Sequence, residues 1–228
     1  VQDWISGNEM NQLYRNNVHQ VKTDIFIPAG GRPRTLNESN FFTFLDEAGN
    51  PTSKAIVEGA NLYLTPGARR ALEKLGVLIF KDSSCNKGGV ICSSFEVLAS
   101  LCMNEEEFLK EKKEYVQEIL DLIGKAARNE AKLLLETHQK TGQFLTDLSD
   151  LTSERINLFK YQLLDYLDQI DLQDPSLIRC LIQYCPPLLR ERYKSGILSM
   201  PEIHKKAVIA CYLASHLVYK RGLDWSPS

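Results

Sequence analysis

Small and amide side chains follow three apolar runs in the first half of the chain. The first run ends in IPAGG, where Ala29 and Gly30 would let a flat ring lie against the backbone. The second ends in VEGAN, which places Asn61 shortly after Gly59. The third continues into KDSSCNKGGV, where Asn86 precedes a pair of glycines. An asparagine amide combines a donor with an acceptor and adds no charge, so it suits a carboxamide or a ribose hydroxyl.

The three runs, at 23–30, 54–61 and 76–82, predict β-strands. Their apolar residues are continuous rather than alternating, which is typical of parallel strands that are buried on both faces. Ligands of parallel α/β sheets bind at the carboxyl ends of the strands, so the three run ends should share one site. Each signal alone is also typical of an ordinary turn. Only their succession along one sheet favours a ligand site.

Helices are predicted between and after these strands. In TPGARRALEKLG, Thr65 suits the N-cap, Pro66 the first turn and Gly76 the C-terminal end. The strand–helix–strand order then predicts a parallel crossover. A further helix should follow the paired glycines. Its apolar side would consist of Val90, Phe95, Val97, Leu98 and Leu101.

The segment 30–53 links the first two strands. It combines a short apolar stretch, FFTFL, with a turn at DEAGNP. Arg32 and Arg34 in this segment suit either the solvent or contact with an anionic group. Lys87, beside the paired glycines, leaves a similar choice between the solvent and a cleft.

From residue 104 onward the apolar residues recur at helical spacing, which predicts a mostly helical region. Two domains are therefore expected, at 1–103 and 104–228. The first helix, 104–140, opens with acidic residues that suit the helix dipole. Gly142 should end this helix, and Ser153 should be the N-cap of the next. Pro186 and Pro187 should end a third helix. Pro201 and Gly222 should mark the first turn and the end of the last helix.

The composition limits the function classes. The 228 residues carry a formal net charge of -2, which disfavours nucleic acid as a partner. No apolar run approaches the ~20 residues of a membrane span, and the N-terminus has no signal-peptide pattern. The six cysteines show no metal-ligand or redox spacing, so we expect reduced, mostly buried thiols, no metal site and a cytoplasmic protein. The chain also opens in mid-pattern without Met, which indicates a piece of a longer protein.

The ordered run ends resemble the glutamate dehydrogenase family, specifically its large NAD-dependent type. DIFIPAG is similar to the family's strand beside the adenosine part of the cofactor, and IVEGAN to the strand whose Asn reaches the nicotinamide ribose. NKGGVICSSFE is similar to the Asn-x-Gly-Gly-Val-x-x-Ser motif at the nicotinamide and substrate end. FIPAGGRPRTLN and LASHLVYKRG are closer to the large enzymes than to the common hexameric ones. The resemblance is strong over 20–101 and weaker over the helical remainder.

The resemblance implies NAD as the cofactor. Ala29, Gly30 and Asn61 would then bind NAD. Asn86 would lie by both the nicotinamide and the substrate. Val90 would pack against the aliphatic stem of the substrate.

The resemblance also implies that Ser93 hydrogen-bonds the side-chain carboxylate of L-glutamate. A hydroxyl on an apolar helix face supports a carboxylate ligand, because a wrong ligand would leave that hydroxyl unpaired. Ser93 and Ser94 could equally donate to an upstream carbonyl of their own helix.

Several parts of a complete dinucleotide enzyme have no counterpart in the chain. A dinucleotide site needs a glycine-rich turn for the pyrophosphate, and no G-x-G-x-x-G occurs here. The family's Lys-rich substrate segment and catalytic Asp are also unmatched. We therefore expect an α/β fold: the C-terminal half of a Rossmann-like parallel sheet followed by a mostly helical region. The upstream part of the same polypeptide would supply the catalytic residues, and the isolated chain should be inactive.

The expected activity of the complete protein is oxidation of L-glutamate to 2-oxoglutarate and ammonia, with hydride passing from the substrate α-carbon to the nicotinamide. Another amino acid as substrate is an alternative within the enzyme class. A stand-alone interaction module, with a degenerate nucleotide-binding remnant and a helical docking domain, is the alternative outside it. Because a truncated sheet leaves an edge open, the chain should form a homo-oligomer or cover that edge with residues 1–20.

Overall fold

The chain forms two compact units. The computed structural model describes residues 4–15, 17–30 and 32–225. The first unit contains the residues up to Lys87 together with Thr141–Ser149, and the second contains Gly88–Lys140 and the residues from Asp150 on. These are units of packing. The predicted domain boundary at 103 concerns the complete fold and stays a prediction.

The first unit is an α/β unit. Its elements in chain order are α1 (Gly7–Arg15), a 3₁₀ turn (Val18–Gln20), β1 (Thr23–Phe26), a second 3₁₀ turn (Phe41–Phe44), β2 (Ser53–Val57), α2 (Pro66–Lys74), β3 (Leu78–Phe80) and α3 (Asp82–Cys85). The strands form a parallel sheet in the order β1-β2-β3, with Ile25 opposite Ala55 and Ile56 opposite Ile79. The partial parallel sheet predicted from the apolar runs is confirmed.

The prediction that each strand is buried on both faces is wrong for β1. Ile56 of β2 and Ile79 of β3 are fully buried, whereas Ile25 is 53% exposed and Ile27 is 59% exposed. β1 is an edge strand, and its outward side chains meet no covering element in the described part of the chain. The continuous apolar pattern therefore does not separate a central strand from this edge strand.

The segment between β1 and β2 completes the core of the first unit. Leu36 and Phe44 in this segment are fully buried. The predicted DEAGNP turn is present, with the N–H of Asp46 donating to the carbonyl of Asn50 over 2.8 Å. The buried core consists of Phe26, Leu36, Phe44, Ile56, Tyr63, Leu64, Leu72, Val77 and Ile79.

Both ends of α2 follow the predicted capping pattern. Thr65 is the N-cap, and its Oγ1 accepts a hydrogen bond from the N–H of Ala68 over 3.3 Å. Pro66 occupies the first position of the helix. Gly76 follows the helix with φ +88°, a left-handed conformation that favours glycine.

The second unit is helical, as predicted. Its elements are α4 (Gly88–Cys102), α5 (Glu105–Thr141), α6 (Leu145–Leu167), α7 (Pro175–Tyr184), α8 (Pro187–Arg192), α9 (Lys194–Ser199) and α10 (Glu202–Arg221), where the residues from Thr141 to Ser149 belong to the first unit. Gly142 and Gly222 end α5 and α10 with φ of +72° and +86°, as their positions predict. Asn104 and Glu107 form reciprocal hydrogen bonds of 2.8 and 2.9 Å at the start of α5.

Two helix boundaries differ from the sequence prediction. α6 begins at Leu145, so Ser153 lies inside the helix and the predicted N-cap is wrong. The earlier start follows from Leu145 and Leu148, which are both buried and lie three residues apart. α7 does end before Pro186, but Pro187 then opens α8, because proline suits the first position of a helix.

Only part of the predicted apolar side of α4 is buried. Phe95 and Leu98 are 5% and 3% exposed, whereas Val90 and Val97 are 72% and 52% exposed. Val90 and Val97 are seven residues apart, which is two helical turns, so they share a face that lies away from Phe95. Val90 and Val97 therefore do not belong to the buried side of α4, and the contact of Val90 with a substrate stays a prediction.

The six cysteines are free thiols, but the expectation that most of them are buried is wrong. Only Cys185 is buried, and Cys211 is exposed. Burial raises the pKa of Cys185 to about 12 and that of Cys102 to about 11. These two thiols therefore remain protonated at neutral pH. Among the described residues, no helix is long and apolar enough to cross a bilayer.

The described part of the N-terminal segment includes α1, which leaves Met10 56% exposed and Leu13 52% exposed. Residues 1–3 and 16 of the segment predicted to cover the sheet lie outside the described residues. β1 pairs only with β2 in the described part of the chain. The homo-oligomer expected from an open sheet edge stays a prediction.

His19 is buried near the 3₁₀ turns of the first unit and is 2% exposed. The hydroxyl of Thr43 donates its proton to the carbonyl of Asn40 over 2.8 Å, so His19 Nε2 must donate to Thr43 Oγ1, also over 2.8 Å. His19 Nδ1 then carries a buried lone pair without a hydrogen-bond partner in the described part of the chain. Burial lowers the pKa of His19 below its ordinary value of 6.5.

The stability of the first unit should therefore depend on pH through His19. Below pH 6.5 the unfolded chain takes up a proton at His19 that the folded unit does not take up, so the free energy of unfolding falls as the pH falls towards the folded-state pKa. The largest slope from one such group is about 1.4 kcal/mol per pH unit. Urea denaturation between neutral and mildly acidic pH measures this slope. It should be smaller in His19→Gln, and equal slopes in the two proteins would contradict the assignment.

Candidate functional site

The ends of β1 and β2 approach each other closely at the carboxyl edge of the sheet. The N–H of Ala60 donates to the carbonyl of Pro28 over 2.7 Å. A Cβ atom added to Gly59 would lie 3.4 Å from both Ala29 Cα and the Pro28 oxygen. The absence of a side chain at Gly59 therefore makes the close approach of the two segments easier. Ala29 and Gly30 are exposed beside it. The edge therefore offers backbone with little side-chain cover, as the sequence predicts.

The two asparagines predicted to bind ligand are hydrogen-bonded to each other. Asn86 follows α3 as its C-cap residue, and its Nδ2 donates to Oδ1 of Asn61. Asn61 is exposed and Asn86 is half-buried. This bond leaves an amide NH₂ on Asn61 and a carbonyl oxygen on Asn86. A ligand carboxamide, which has one acceptor and one NH₂ donor, matches that arrangement.

A buried ionic network joins the elements that carry the asparagines. Arg69 of α2 donates from Nε to Glu58 Oε2 over 2.7 Å, and its Nη2 lies 3.2 Å from Glu58 Oε1 and 3.2 Å from Asp82 Oδ1. Glu58 is fully buried, and Arg69 and Asp82 are only 4% and 7% exposed. One guanidinium is therefore shared by two carboxylates in a place that water hardly reaches.

The same carboxylates fix the loop around Asn61. Asp82 Oδ2 accepts the N–H of Leu62 over 2.8 Å, and Glu58 Oε1 accepts the N–H of Leu64 over 3.1 Å. Asp82 is also the first residue of α3, the helix that ends at the second asparagine. The network thus connects the loop of Asn61 and the helix that precedes Asn86 to the same buried guanidinium.

The chemistry of Glu58 is that of a support. Burial raises its pKa, and the hydrogen bond and charge of Arg69 act in the opposite direction. Its two oxygens are already engaged by Arg69 and by the backbone of Leu64. Glu58 is therefore placed to hold the loop in position rather than to exchange a proton with a ligand.

Sequence patterns do not predict this network. Glu58 directly follows a buried apolar run, and Arg69 lies on the buried side of α2. Charged residues at such positions are rarely buried without a partner, so the two residues could have been identified as candidates for a buried pair. Their partnership with Asp82 depends on the folded sheet.

The other two predicted site residues, Val90 and Ser93, belong to α4 in the second unit. Both are exposed, and their spacing of three places them on neighbouring positions of one helix face. The Ser94 hydroxyl donates to the Val90 carbonyl over 3.0 Å, which is the structural role considered for either serine. Within the described residues, Ser93 shows no such bond. Its hydroxyl is therefore available to a ligand.

No metal centre is built from the described residues, since they contain no group of three or more His, Cys, Asp and Glu side chains placed to hold an ion. The donor set of the candidate site in the first unit consists of amides and exposed backbone. These groups bind uncharged or anionic ligands through hydrogen bonds.

Comparison with known proteins assigns the chain to a family. Residues 2–144 match the model of the glutamate/leucine/phenylalanine/valine dehydrogenases. The chain therefore belongs to this dehydrogenase family. The resemblance carried by DIFIPAG, IVEGAN and NKGGVICSSFE is confirmed at the level of the family.

Similar proteins are much longer than this chain. It is 37% identical over 234 residues to glutamate dehydrogenase 2 of Dictyostelium discoideum, 35% over 223 residues to the NAD-specific glutamate dehydrogenase of Saccharomyces cerevisiae, and 34% over 228 residues to that of Neurospora crassa. These alignments cover 95%, 88% and 92% of this chain and 22%, 20% and 21% of the relatives. The chain thus spans about a fifth of the length of these curated relatives. No solved structure matches it.

Replacing Arg69 should destabilise the first unit strongly. Arg69→Met leaves two buried carboxylates without their cation, which costs about 3–5 kcal/mol of unfolding free energy. The control is Lys54→Met in the same unit, whose ion pair with Asp24 lies at the surface, with the two side chains 86% and 84% exposed. Loss of that exposed pair should cost less than about 1 kcal/mol. Urea denaturation measures both, and equal losses would show that the buried network does not have the proposed importance.

Proposed function

We propose that the chain is part of an NAD-dependent glutamate dehydrogenase. The complete protein would convert L-glutamate, NAD⁺ and water to 2-oxoglutarate, ammonium, NADH and a proton. The observation that carries this proposal is the paired amides of Asn61 and Asn86 at the carboxyl edge of a parallel sheet. The relatives named NAD-specific glutamate dehydrogenases support the choice of cofactor and substrate.

The strand ends fit the nicotinamide riboside part of NAD, whose ribose Asn61 would reach as the resemblance implies. The ring carries a carboxamide, and the free NH₂ of Asn61 and the free carbonyl of Asn86 match its acceptor and donor. Exposed Ala29 and Gly30 leave space against the backbone for the flat adenine of the cofactor's adenosine part. NAD, when bound, supplies the acceptor for the hydride that leaves the substrate α-carbon.

The residues of this chain would orient the reactants. Asn61 and Asn86 would hold the nicotinamide in one rotational position, and Asn86 would also meet the substrate. On α4, Val90 would contact the aliphatic stem of glutamate, and the Ser93 hydroxyl would donate to its side-chain carboxylate. An apolar contact next to a hydroxyl selects an acidic substrate over an aliphatic one.

The upstream part of the polypeptide would complete the active site. It would contribute the glycine-rich turn for the pyrophosphate and the residues that transfer protons. A cytoplasmic location and a homo-oligomeric assembly belong to the same proposal. The complete protein is therefore the form in which substrate choice can be measured.

Ser93→Val in the complete protein should lower kcat/KM for L-glutamate about 10- to 100-fold, the effect of losing one hydrogen bond to a charged group. The KM for NAD should stay unchanged, because the hydroxyl is assigned to the substrate. Ser94→Val is the matched control, since its hydroxyl bonds to its own helix. Steady-state kinetics decide the matter. Unchanged glutamate turnover in Ser93→Val would remove Ser93 from the substrate site and favour a different amino acid.

The purified 228-residue chain should produce no NADH from glutamate and NAD. It has no glycine-rich turn, and the acids that fix the Asn61 loop are engaged in the buried network. NADH absorbance measures this directly, and glutamate-dependent turnover by the chain would overturn the expectation.

The mass of the native polypeptide, measured by blot or mass spectrometry, separates the enzyme from the interaction module. A native product no longer than this chain would favour the module.

A further inference from the structure

Two residues of the first unit have a conformation that is unfavourable for their side chains. Within the described part of the chain, Arg34 and Leu62 are the residues other than glycine with positive φ, at +61° and +54°. This left-handed region brings Cβ close to the following carbonyl, so it is normally occupied by Gly, Asn or Asp. A leucine with such a φ is an exception that requires a physical cause.

The conformation of Leu62 is imposed by its backbone partners. Its carbonyl accepts the N–H of Arg34 over 2.6 Å, and its N–H donates to Asp82 Oδ2 over 2.8 Å. Both hydrogen-bonding groups of this residue are thus held by other segments of the chain. Local strain of this kind persists only where the surroundings hold it, and it is concentrated at functional sites.

Packing does not explain why the residue is a leucine. The Leu62 side chain is 53% exposed, so it gains little from burial. Glycine or asparagine would accept the same backbone at lower cost. The remaining distinction of Leu62 is its position, directly after Asn61 at the carboxyl edge of the sheet. The residue next to Asn61 therefore carries an exposed apolar side chain.

We propose that Leu62 is a ligand-contacting residue, whose side chain packs against the face of a planar ring held by Asn61 and Asn86. This inference rests on the proposed function, in which the ring is the nicotinamide of NAD. An aliphatic side chain against a ring face gains dispersion contacts and removes water from that face. The residue thereby adds an apolar contact to a site otherwise made of amides and backbone.

Arg34 provides a matched comparison. It has the same type of backbone conformation and is joined to Leu62 by a backbone hydrogen bond, which a substitution of its side chain retains. Its guanidinium is exposed and helps to lower the pKa of Glu38, where backbone hydrogen bonding is the larger cause. The proposal assigns ring contact to Leu62 and backbone support to Arg34.

The first test is methyl and amide NMR of the complete protein, isotope-labelled and titrated with NAD. The Leu62 methyl signals and the side-chain amide signals of Asn61 and Asn86 should shift together along one binding curve. Shifts of the amides without the Leu62 methyls would overturn this inference and leave the proposed function intact. Absence of shifts at all three residues at millimolar NAD would overturn both.

The second test compares variants by the same titration and by thermal melting. Leu62→Gly and Leu62→Asn both suit the left-handed backbone, and each should weaken NAD binding roughly 5- to 10-fold. Neither should lower the melting temperature. Arg34→Gly should leave the NAD affinity unchanged. It should not lower the melting temperature. If the Leu62 variants lost stability and kept wild-type NAD affinity, Leu62 would be structural and the proposal wrong.

Discussion

The geometry of the candidate site depends on one buried cation, Arg69, shared by Glu58 and Asp82. Removing three charged groups from water is costly, and the cost is offset only where each group is paired and hydrogen-bonded. Here the carboxylates also accept backbone N–H groups of Leu62 and Leu64, so the polar capacity of the network is largely used within the protein. A network of this kind tolerates one arrangement of its loops, because any other leaves a charge unpaired. The positions of both asparagines follow from that restriction.

Parallel topology explains why the asparagines meet at all. Asn61 and Asn86 are 25 residues apart in sequence and are hydrogen-bonded in space. A crossover returns the chain to the same end of the sheet, so the residues that follow neighbouring strands meet at the same edge. The ionic network then fixes the two asparagines relative to each other. Asp82 holds the loop of Asn61 and also starts the helix that ends at Asn86.

Sequence patterns predicted the features of the fold that depend on a few neighbouring residues. Thr65 and Gly76 bracket α2 as expected, since capping depends on a few neighbouring residues. The convergence of strand ends was also predictable, because continuous apolar runs separated by a helix indicate a parallel sheet. The partnership of Arg69 with acids 11 residues before it and 13 residues after it was not, because it exists only in the folded unit. The exposure of Ile25 and the early start of α6 likewise depend on which surfaces happen to be covered.

The loop of the candidate site is held by hydrogen bonds within the protein. The loop at Asn61 is held by Asp82, Glu58 and Arg34, so a ligand would not have to order it, and binding loses less conformational entropy. The same commitment limits the chemistry. Acids that are engaged with Arg69 and with backbone N–H groups hold shape, and they have little capacity left for proton transfer. A site built on this network can orient a ring and select a substrate. Proton transfer has to come from groups outside the network. That separation is the physical reason for assigning the proposed activity to the complete polypeptide.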